Sequence, residues 1–367
     1  MPTVASFEVS YLQYLDENSQ AVNDLPDFAK DTNLLTGLYK DMLFARTLDY
    51  RAMSLQRMGK MGTYPGTLGQ EAVGVGSGSC LGDDDVLVPY YRGSNTMIQH
   101  GVKPHELLLY WGGDERGSDF KNPRVRQDFP IAVPIATQCL HAAGVATAMK
   151  ARGQTGRAVL TEIGEGGTSE GEFYEALNVA GVWNLPLVCV INNNQWAISV
   201  PAEMQTACET FAQKGIAAGI ESLQVDGNDV IAVKDAVGRA MEKARSGGGP
   251  TLIEAICYRL CDHTTADDAS RYDDPEAREE AWAKEPLKRL GDYLVNLGAV
   301  TKKQLEEFEV EAKEAVEKEV EIYFDTILNN PQPVGAMFDY LYAELPEKTK
   351  AQREEVIARD LRAREGG

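Results

Sequence analysis

Two short stretches of this chain bring together residue types that can hold a hard cation against phosphate oxygens. The first, Gly164-Glu165-Gly166-Gly167-Thr168-Ser169, offers a carboxylate between glycines whose backbone a ligand can approach closely. The second, Asn192-Asn193-Asn194-Gln195-Trp196, offers amide oxygens and backbone carbonyls. Hard oxygen donors suit magnesium or calcium, and a magnesium ion held by one carboxylate and one carboxamide completes its shell with phosphate oxygens and water. Taken singly, the glycine stretch reads as a tight turn and the asparagines as a polar, helix-capping loop. Taken together, one crossover apart, they predict a metal-held diphosphate. A dinucleotide fingerprint fits poorly, because Gly164-x-Gly166 lacks the third glycine at its spacing, and no Walker-type Gly-Lys-Ser/Thr occurs.

The elements around these stretches predict how they meet. Each follows an apolar run, Ala158 to Ile163 and Leu187 to Ile191, with a helical segment from Gly171 to Trp183 between them. The connections are too long for hairpins and suit parallel crossovers; a further strand, Thr251 to Tyr258, follows a helical stretch from Val230 to Ala244. Helical periodicity also marks Leu140 to Arg152, and Leu34 to Arg57, where Leu38, Met42, Ala45, Leu48, Ala52 and Leu55 form one buried face. The fold class is therefore α/β, a parallel sheet covered by helices. Ligands of such sheets bind beyond the carboxyl ends of the strands, the edge at which both stretches should lie. Residues 1–32 read as a polar, irregular arm leaning on something else, 33–300 as the α/β domain and 301–367 as a helical extension. The acidic stretch Asp267 to Glu280 reads as a short mobile loop, and the chain from Pro286 on as mostly charged helix.

Composition narrows the partners. With 36 Lys plus Arg against 56 Asp plus Glu, the net charge of -20 argues against nucleic acid, and an anionic cofactor must be held by a metal, helix amino termini or a few placed arginines. Hydrophobic residues at 43% and charged residues at 25% supply a globular core and exclude disorder throughout. The six cysteines form no C-x-x-C pair and read as buried reduced thiols; Cys257, Cys261 and His263 lie close in sequence, yet no second ligand pair follows to complete a zinc site. Met1 to Glu17 shows no targeting signal and no window is long and apolar enough for a membrane span, so a cytoplasmic location is expected.

Gly164-Glu165-Gly166 through Asn193-Asn194 resembles the thiamine-diphosphate motif, and from about Leu34 to Pro346 the chain resembles the alpha subunits of two-gene 2-oxo acid dehydrogenases. Many members carry Asp where this chain has Glu165, and Glu is similar to the branched-chain enzymes. The resemblance implies the fold of the diphosphate-binding domain, with Glu165 and Asn194 as side-chain magnesium ligands and the carbonyl of Trp196 as a third. Gly164, Gly166 and Gly167 would lie along the cofactor. Pro89-Tyr90-Tyr91-Arg92 matches the Tyr-Arg pair that contacts the diphosphate, where Arg92 can offer two parallel charge-assisted hydrogen bonds. Pro134-Ile135-Ala136-Thr137-Gln138 is similar to the segment whose backbone holds the aminopyrimidine, at Ile135, and whose Thr and Gln, here Thr137 and Gln138, belong to a potassium site in branched-chain members. Without the resemblance, this segment reads as a helix start.

His263 would be catalytic and near the diphosphate, in a loop that orders when the cofactor binds; Asp262 before it departs from the Gly-His or Gly-Pro of relatives. His100, His105 and His141 read as structural. The implied reaction is oxidative decarboxylation of a 2-oxo acid with transfer of the acyl group to a lipoyl group on an acyltransferase. The glutamate that activates the aminopyrimidine would come from a beta subunit, in an alpha-two beta-two tetramer, and Gly74, Gly76 and Gly78 would let a helix pack closely on a neighbour. Gly167 to Gly171 and Gly69 to Ala72 resemble pyruvate-using members, whereas Glu165 and Ile135 to Gln138 lean to branched-chain ones. Pyruvate is favoured, with a branched-chain enzyme, an acetoin dehydrogenase alpha subunit and a cofactor-free regulatory subunit as alternatives. Thr264, Thr265 and Ser270 lie where mitochondrial relatives are phosphorylated.

Overall fold

The computed structural model describes residues 1–365. In chain order, β1 (Ser10–Leu12), α1 (Thr32–Arg57), α2 (Glu71–Gly78), β2 (Val86–Val88), α3 (Ser94–His100), α4 (Pro104–Trp111) and α5 (Thr137–Ala151) come first. The site-bearing middle follows: β3 (Val159–Gly164), α6 (Gly171–Val182), β4 (Leu187–Asn193), the ribbon β5 (Trp196–Ala197) and β6 (Val200–Pro201), and α7 (Gln213–Ile216). It continues through β7 (Glu221–Asp226), α8 (Val230–Arg245) and β8 (Thr251–Ile256). The chain ends with α9 (Pro275–Ala283), α10 (Pro286–Asn296), α11 (Lys302–Asn329), α12 (Ala336–Asp339) and α13 (Glu347–Glu365).

Six strands form one all-parallel sheet in the order β1-β7-β8-β4-β3-β2. The runs in β3, β4 and β8 are buried on both faces, which is why they read as continuous rather than alternating. On one face Leu160, Val188 and Val190 pack with Val233, Val237 and Met241 of α8. On the other, Val159, Cys189 and Ile191 pack with Ala142 and Ala146 of α5 and Phe173 and Leu177 of α6. Each such fully buried aliphatic side chain contributes about 1.5–3 kcal/mol. A third cluster joins Leu35, Leu38 and Met42 of α1 to Leu287, Leu290 and Leu294 of α10; α1 starts where the Asp31 carboxylate accepts from the Asn33 and Leu34 N–H groups.

The structure departs from the sequence reading in four places. Ser10–Leu12, read as part of an irregular arm, is the edge strand paired with Leu223–Val225. The stretch Asp267 to Glu280 is not all loop: Asp274 caps and Pro275 opens α9, the ordinary start signal of a helix. Gly74 and Gly76 pack inside this chain, not on a separate neighbour, since a Cβ would lie 2.6 Å from Asn95 Cβ of α3 and 2.8 Å from Val233 Cγ1 of α8, respectively. Of the cysteines, Cys139, Cys189 and Cys257 are buried, but Cys208 is exposed.

Met1–Lys318 forms one compact unit, and a second begins at Glu319, inside α11. Within the second, Arg353 pairs with Asp339 at 2.7 Å.

Candidate active site

Register places the two predicted stretches side by side. Gly164, the last residue of β3, pairs with Asn192 of β4, and Asn193 pairs with Ile256 at the end of β8. Cys257 N–H and Arg259 N–H then donate to the carbonyls of Asn193 and Asn194, carrying the chain on to His263. Three neighbouring strands thus open onto one cavity of about 360 Å³. Tyr91, Arg92, Ile135, Gly164 to Gly167, Asn194, Trp196 and His263 all line it, as does Gln138; Thr137, the first residue of α5, does not. A larger cleft of about 630 Å³ lies by β1 and the amino ends of β7 and β8, but its cations Arg239 and Lys243 are already paired with Asp235 and Glu221.

Glu165 is 1% exposed, and one carboxylate oxygen, Oε2, accepts from Asn194 N–H at 3.2 Å. The other, Oε1, is buried without a partner. Burial pushes this carboxyl up to about 7, against hydrogen bonds from backbone N–H groups and the charges of Arg259 and Arg92. A buried, half-satisfied carboxylate is expensive unless a cation completes it. The glycines that follow are required by close packing: a Cβ at Gly166 would sit 2.4 Å from Ala197 Cβ, and one at Gly167 2.7 Å from Ile163 Cγ1.

The three asparagines divide their work. Asn192 donates to Tyr90 Oη at 2.8 Å and Asn193 to Glu254 Oε1 at 2.7 Å, both into the core. Asn194 donates through Nδ2 to Gln70 Oε1 at 2.9 Å, which fixes its Oδ1 on the other side, where it accepts from Trp196 N–H at 3.2 Å. Ala202 N–H donates to Gln195 across the ribbon, so Trp196, the next pair along and opposite Pro201, points its carbonyl away from the partner strand. Glu165 Oε1, Asn194 Oδ1 and the Trp196 carbonyl are hard oxygen donors of the kind that could hold magnesium, and the orphaned Oε1 would fit such an ion.

Beside this donor set lie two buried guanidinia. Arg92, 3% exposed, donates to the Gly66 carbonyl at 2.6 Å and to the His263 carbonyl at 3.0 Å, and its guanidinium lies 5.2 Å from the Tyr91 ring centre. Arg259, 1% exposed, donates to the Ile198 carbonyl at 2.9 Å and to Tyr272 Oη at 2.6 Å. Among the described residues neither has a carboxylate within ion-pair distance, so both guanidinia can still attract an anion into the cavity region. Arg92 Nη2 and Arg259 Nη1 approach His263 Nδ1 at 3.2 and 3.5 Å. Arginine has no acceptor, so Nδ1 carries the lone pair and the proton sits on Nε2. Burial first, then Arg92 and Arg259, hold His263 down at about 4, and it is neutral at physiological pH.

Sequence reasoning missed Arg259, although it stands four residues before His263 just past β8; the missing signal is the absence of a counter-charge, which only the fold reveals. It also missed Gln70, which orients Asn194. His100 is structural, buried between Asp128 and the Gly82 carbonyl, and His141 stacks on Phe129, away from the cavity. Cys257 donates to Asn192 Oδ1 rather than turning toward Cys261.

Residues 39–330 match the family model described as the dehydrogenase E1 component. A relative from Acholeplasma laidlawii named pyruvate dehydrogenase E1 component subunit alpha is 39% identical over 346 residues, 93% of this chain and 97% of the relative. Relatives of the same name from Mycoplasma genitalium and Staphylococcus aureus strain Mu50 are 39% and 38% identical, covering 86% and 96% of this chain and 87% and 93% of their own lengths. With a matching model over most of its length and relatives of this similarity, the chain belongs to the dehydrogenase E1 component family.

Proposed function

We propose that this chain is the cofactor-holding alpha subunit of a thiamine-diphosphate-dependent dehydrogenase that decarboxylates pyruvate oxidatively. The single observation that carries the reading is Glu165: buried, with Oε1 unpartnered, beside Asn194 and in a cavity shared with an uncompensated arginine. A divalent cation answers the first feature and a diphosphate the second. The names of the relatives support pyruvate over branched or acetoin substrates.

Bound thiamine diphosphate supplies a nucleophilic thiazolium carbon and an electron sink for loss of carbon dioxide. The work of this chain is to hold and orient. Glu165, Asn194 and the Trp196 carbonyl take the magnesium ion; Tyr91, Arg92 and the backbone of Gly164, Gly166 and Gly167 take the diphosphate; the backbone at Ile135 takes the aminopyrimidine. His263, the catalytic candidate, offers Nε2–H as a donor beside the diphosphate. A potassium ion at Thr137 and Gln138 belongs to the same reading, where the positive φ of Ala136 turns the chain into α5.

The aminopyrimidine-activating glutamate belongs to a beta subunit in an alpha-two beta-two assembly, and the acyl group leaves on the lipoyl group of an acyltransferase. No helix among the described residues is long and apolar enough to cross a membrane. The unpaired cysteines suit the reducing cytoplasm, where we place the activity.

The test is calorimetric titration of the chain, co-expressed with its beta partner, using thiamine diphosphate with and without magnesium. Magnesium-dependent binding that is lost in Glu165→Gln and Asn194→Ala, with pyruvate turned over faster than branched 2-oxo acids, is the expected result. Absence of binding in the assembled wild type would overturn the cofactor assignment, and a preference for branched substrates would overturn pyruvate alone.

A further inference from the structure

Behind the Gly164–Ser169 turn lies a lysine that the reaction scheme above does not use. Lys214, in α7, is 5% exposed and has no carboxylate within ion-pair distance among the described residues. Its two hydrogen bonds both go to one residue: Nζ donates to the Thr168 carbonyl at 3.0 Å and to Thr168 Oγ1 at 2.7 Å. The Thr168 hydroxyl, with a lone pair engaged by the ammonium, turns its single proton to the Glu165 carbonyl at 2.6 Å. Aromatic faces enclose the ammonium, with the Phe211 and Tyr174 ring centres 5.2 and 5.5 Å away. The same short segment is fixed from beneath, since Ala212 N–H donates to Glu254 Oε2 at 2.9 Å while Glu254 Oε1 accepts from Asn193 at 2.7 Å.

We infer that Lys214 is a positioning residue that acts through Thr168 to lock the backbone of Glu165 and so aim its carboxylate at the cation. Burying an ammonium without a counter-ion is costly, and both hydrogen bonds fall on the turn that carries the carboxylate ligand. Lys214 and Glu254 together brace the two strand ends, one through Thr168 and the other through Asn193. That brace keeps Glu165 and Asn194 in register before any ligand arrives, the preorganisation that spares a binding site the cost of ordering its loops. This inference rests on the magnesium-diphosphate reading of the site.

The experiment compares wild type, Lys214→Met, Lys214→Arg, Thr168→Val and the Lys214→Met/Thr168→Val double variant, each assembled with the beta partner. Calorimetry reads the affinity for magnesium and thiamine diphosphate, saturation kinetics read kcat and KM, and amide exchange reads the turn in the cofactor-free protein. Lys214→Met should weaken cofactor binding about tenfold to a hundredfold, the size expected for lost charge-assisted hydrogen bonds. The kcat at saturating cofactor should change far less than the KM, and amides from Thr168 to Gly171 should exchange faster without cofactor. Arg at 214 should recover most of the affinity. The double variant should be no weaker than the worse single one, because both act on one contact.

Wild-type affinity in Lys214→Met, additive losses in the double variant, or a fall in melting temperature with unchanged magnesium dependence would overturn the inference. If Lys214→Met fails to fold, the near-isosteric Thr168→Val decides it by the same affinity and exchange readouts. A wild type that binds no cofactor would overturn the functional reading and this inference with it, whereas normal wild-type binding beside an unaffected Lys214→Met overturns this inference alone.

Discussion

Two groups of buried arginines sit in the same α/β unit and are treated in opposite ways. Arg46, on α1, lies between Glu71 and Glu285, with both N···O distances at 2.7 Å. The two carboxylates are satisfied further, by Gly69 N–H and by the Leu287 and Lys288 N–H groups that open α10. Arg289 likewise meets Asp226. Arg92 and Arg259, more deeply buried than Arg46, meet only carbonyls, a histidine and tyrosine hydroxyls. A charge compensated inside the chain serves the fold, and one left uncompensated is held ready for something that comes from outside.

Substitution at each arginine should break this contrast or sharpen it. Arg46→Leu leaves Glu71 and Glu285 facing each other without their shared cation and should cost about 3–5 kcal/mol of stability, measured as a fall in denaturation midpoint at constant slope. Cofactor affinity of the remaining folded protein should be unchanged. Arg92→Leu removes a buried charge that has no ion-pair partner but also orphans the Gly66 and His263 carbonyls, so the cofactor-free chain should lose less stability than Arg46→Leu does, while thiamine-diphosphate affinity falls about tenfold to a hundredfold. A stability loss for Arg92→Leu as large as that for Arg46→Leu would show that Arg92 is structural.

Glu165 carries the same contrast into pH. Its folded value near 7 lies above the ordinary carboxyl range, so the folded state binds the proton more tightly than the unfolded chain does. In metal-free protein the carboxyl therefore favours folding at low pH, and that contribution is lost as pH rises from about 4.5 to 7, by about 3 kcal/mol in all. Glu165→Gln cannot titrate, so the difference in unfolding free energy between it and wild type isolates the term. Saturating magnesium, bound at Glu165 as proposed above, would hold the carboxylate ionised and should abolish the pH dependence of that difference. Equal pH profiles for the two metal-free proteins would contradict the buried, half-satisfied carboxylate.

How much of this was legible in the sequence follows from how local each signal is. Glu165 and Asn194 could be read because each sits in a short string immediately after a continuous apolar run, and the crossover between the runs dictates that their ends coincide. The short strands β1 and β2 and the half-exposed β7, with Glu221, Ser222 and Gln224, have no comparable pattern, since three residues or a polar edge do not make a periodicity. α9 was hidden by its acidic composition, although Asp274-Pro275 was there to mark its start. Gln70, Lys214 and Arg259 were out of reach for a different reason. Their roles lie in what they touch across 124, 46 and 61 residues of chain, and, for the two cations, in which counter-charges are missing.

The smallest effect, and the finest test of the contrast, concerns His263. A histidine near an acidic loop would ordinarily be expected to gain a proton from its carboxylate neighbours, and Asp267 does accept from its backbone N–H at 2.9 Å. The ring, however, faces two guanidinia through Nδ1, and burial and both arginines lower its proton affinity while Asp267 raises it. The arginines and burial win, leaving one tautomer with Nε2–H as a fixed donor. Nitrogen-detected NMR of the ring should show protonated Nε2 and bare Nδ1 throughout pH 5.5–8. In Arg92→Leu, one of the two donors on Nδ1 is gone and one positive charge removed, so the His263 value should move upward from about 4. A ring that already titrates near 6.5 in wild type would mean that the guanidinia do not control it, and the division between compensated and waiting charges would fail where it matters for chemistry.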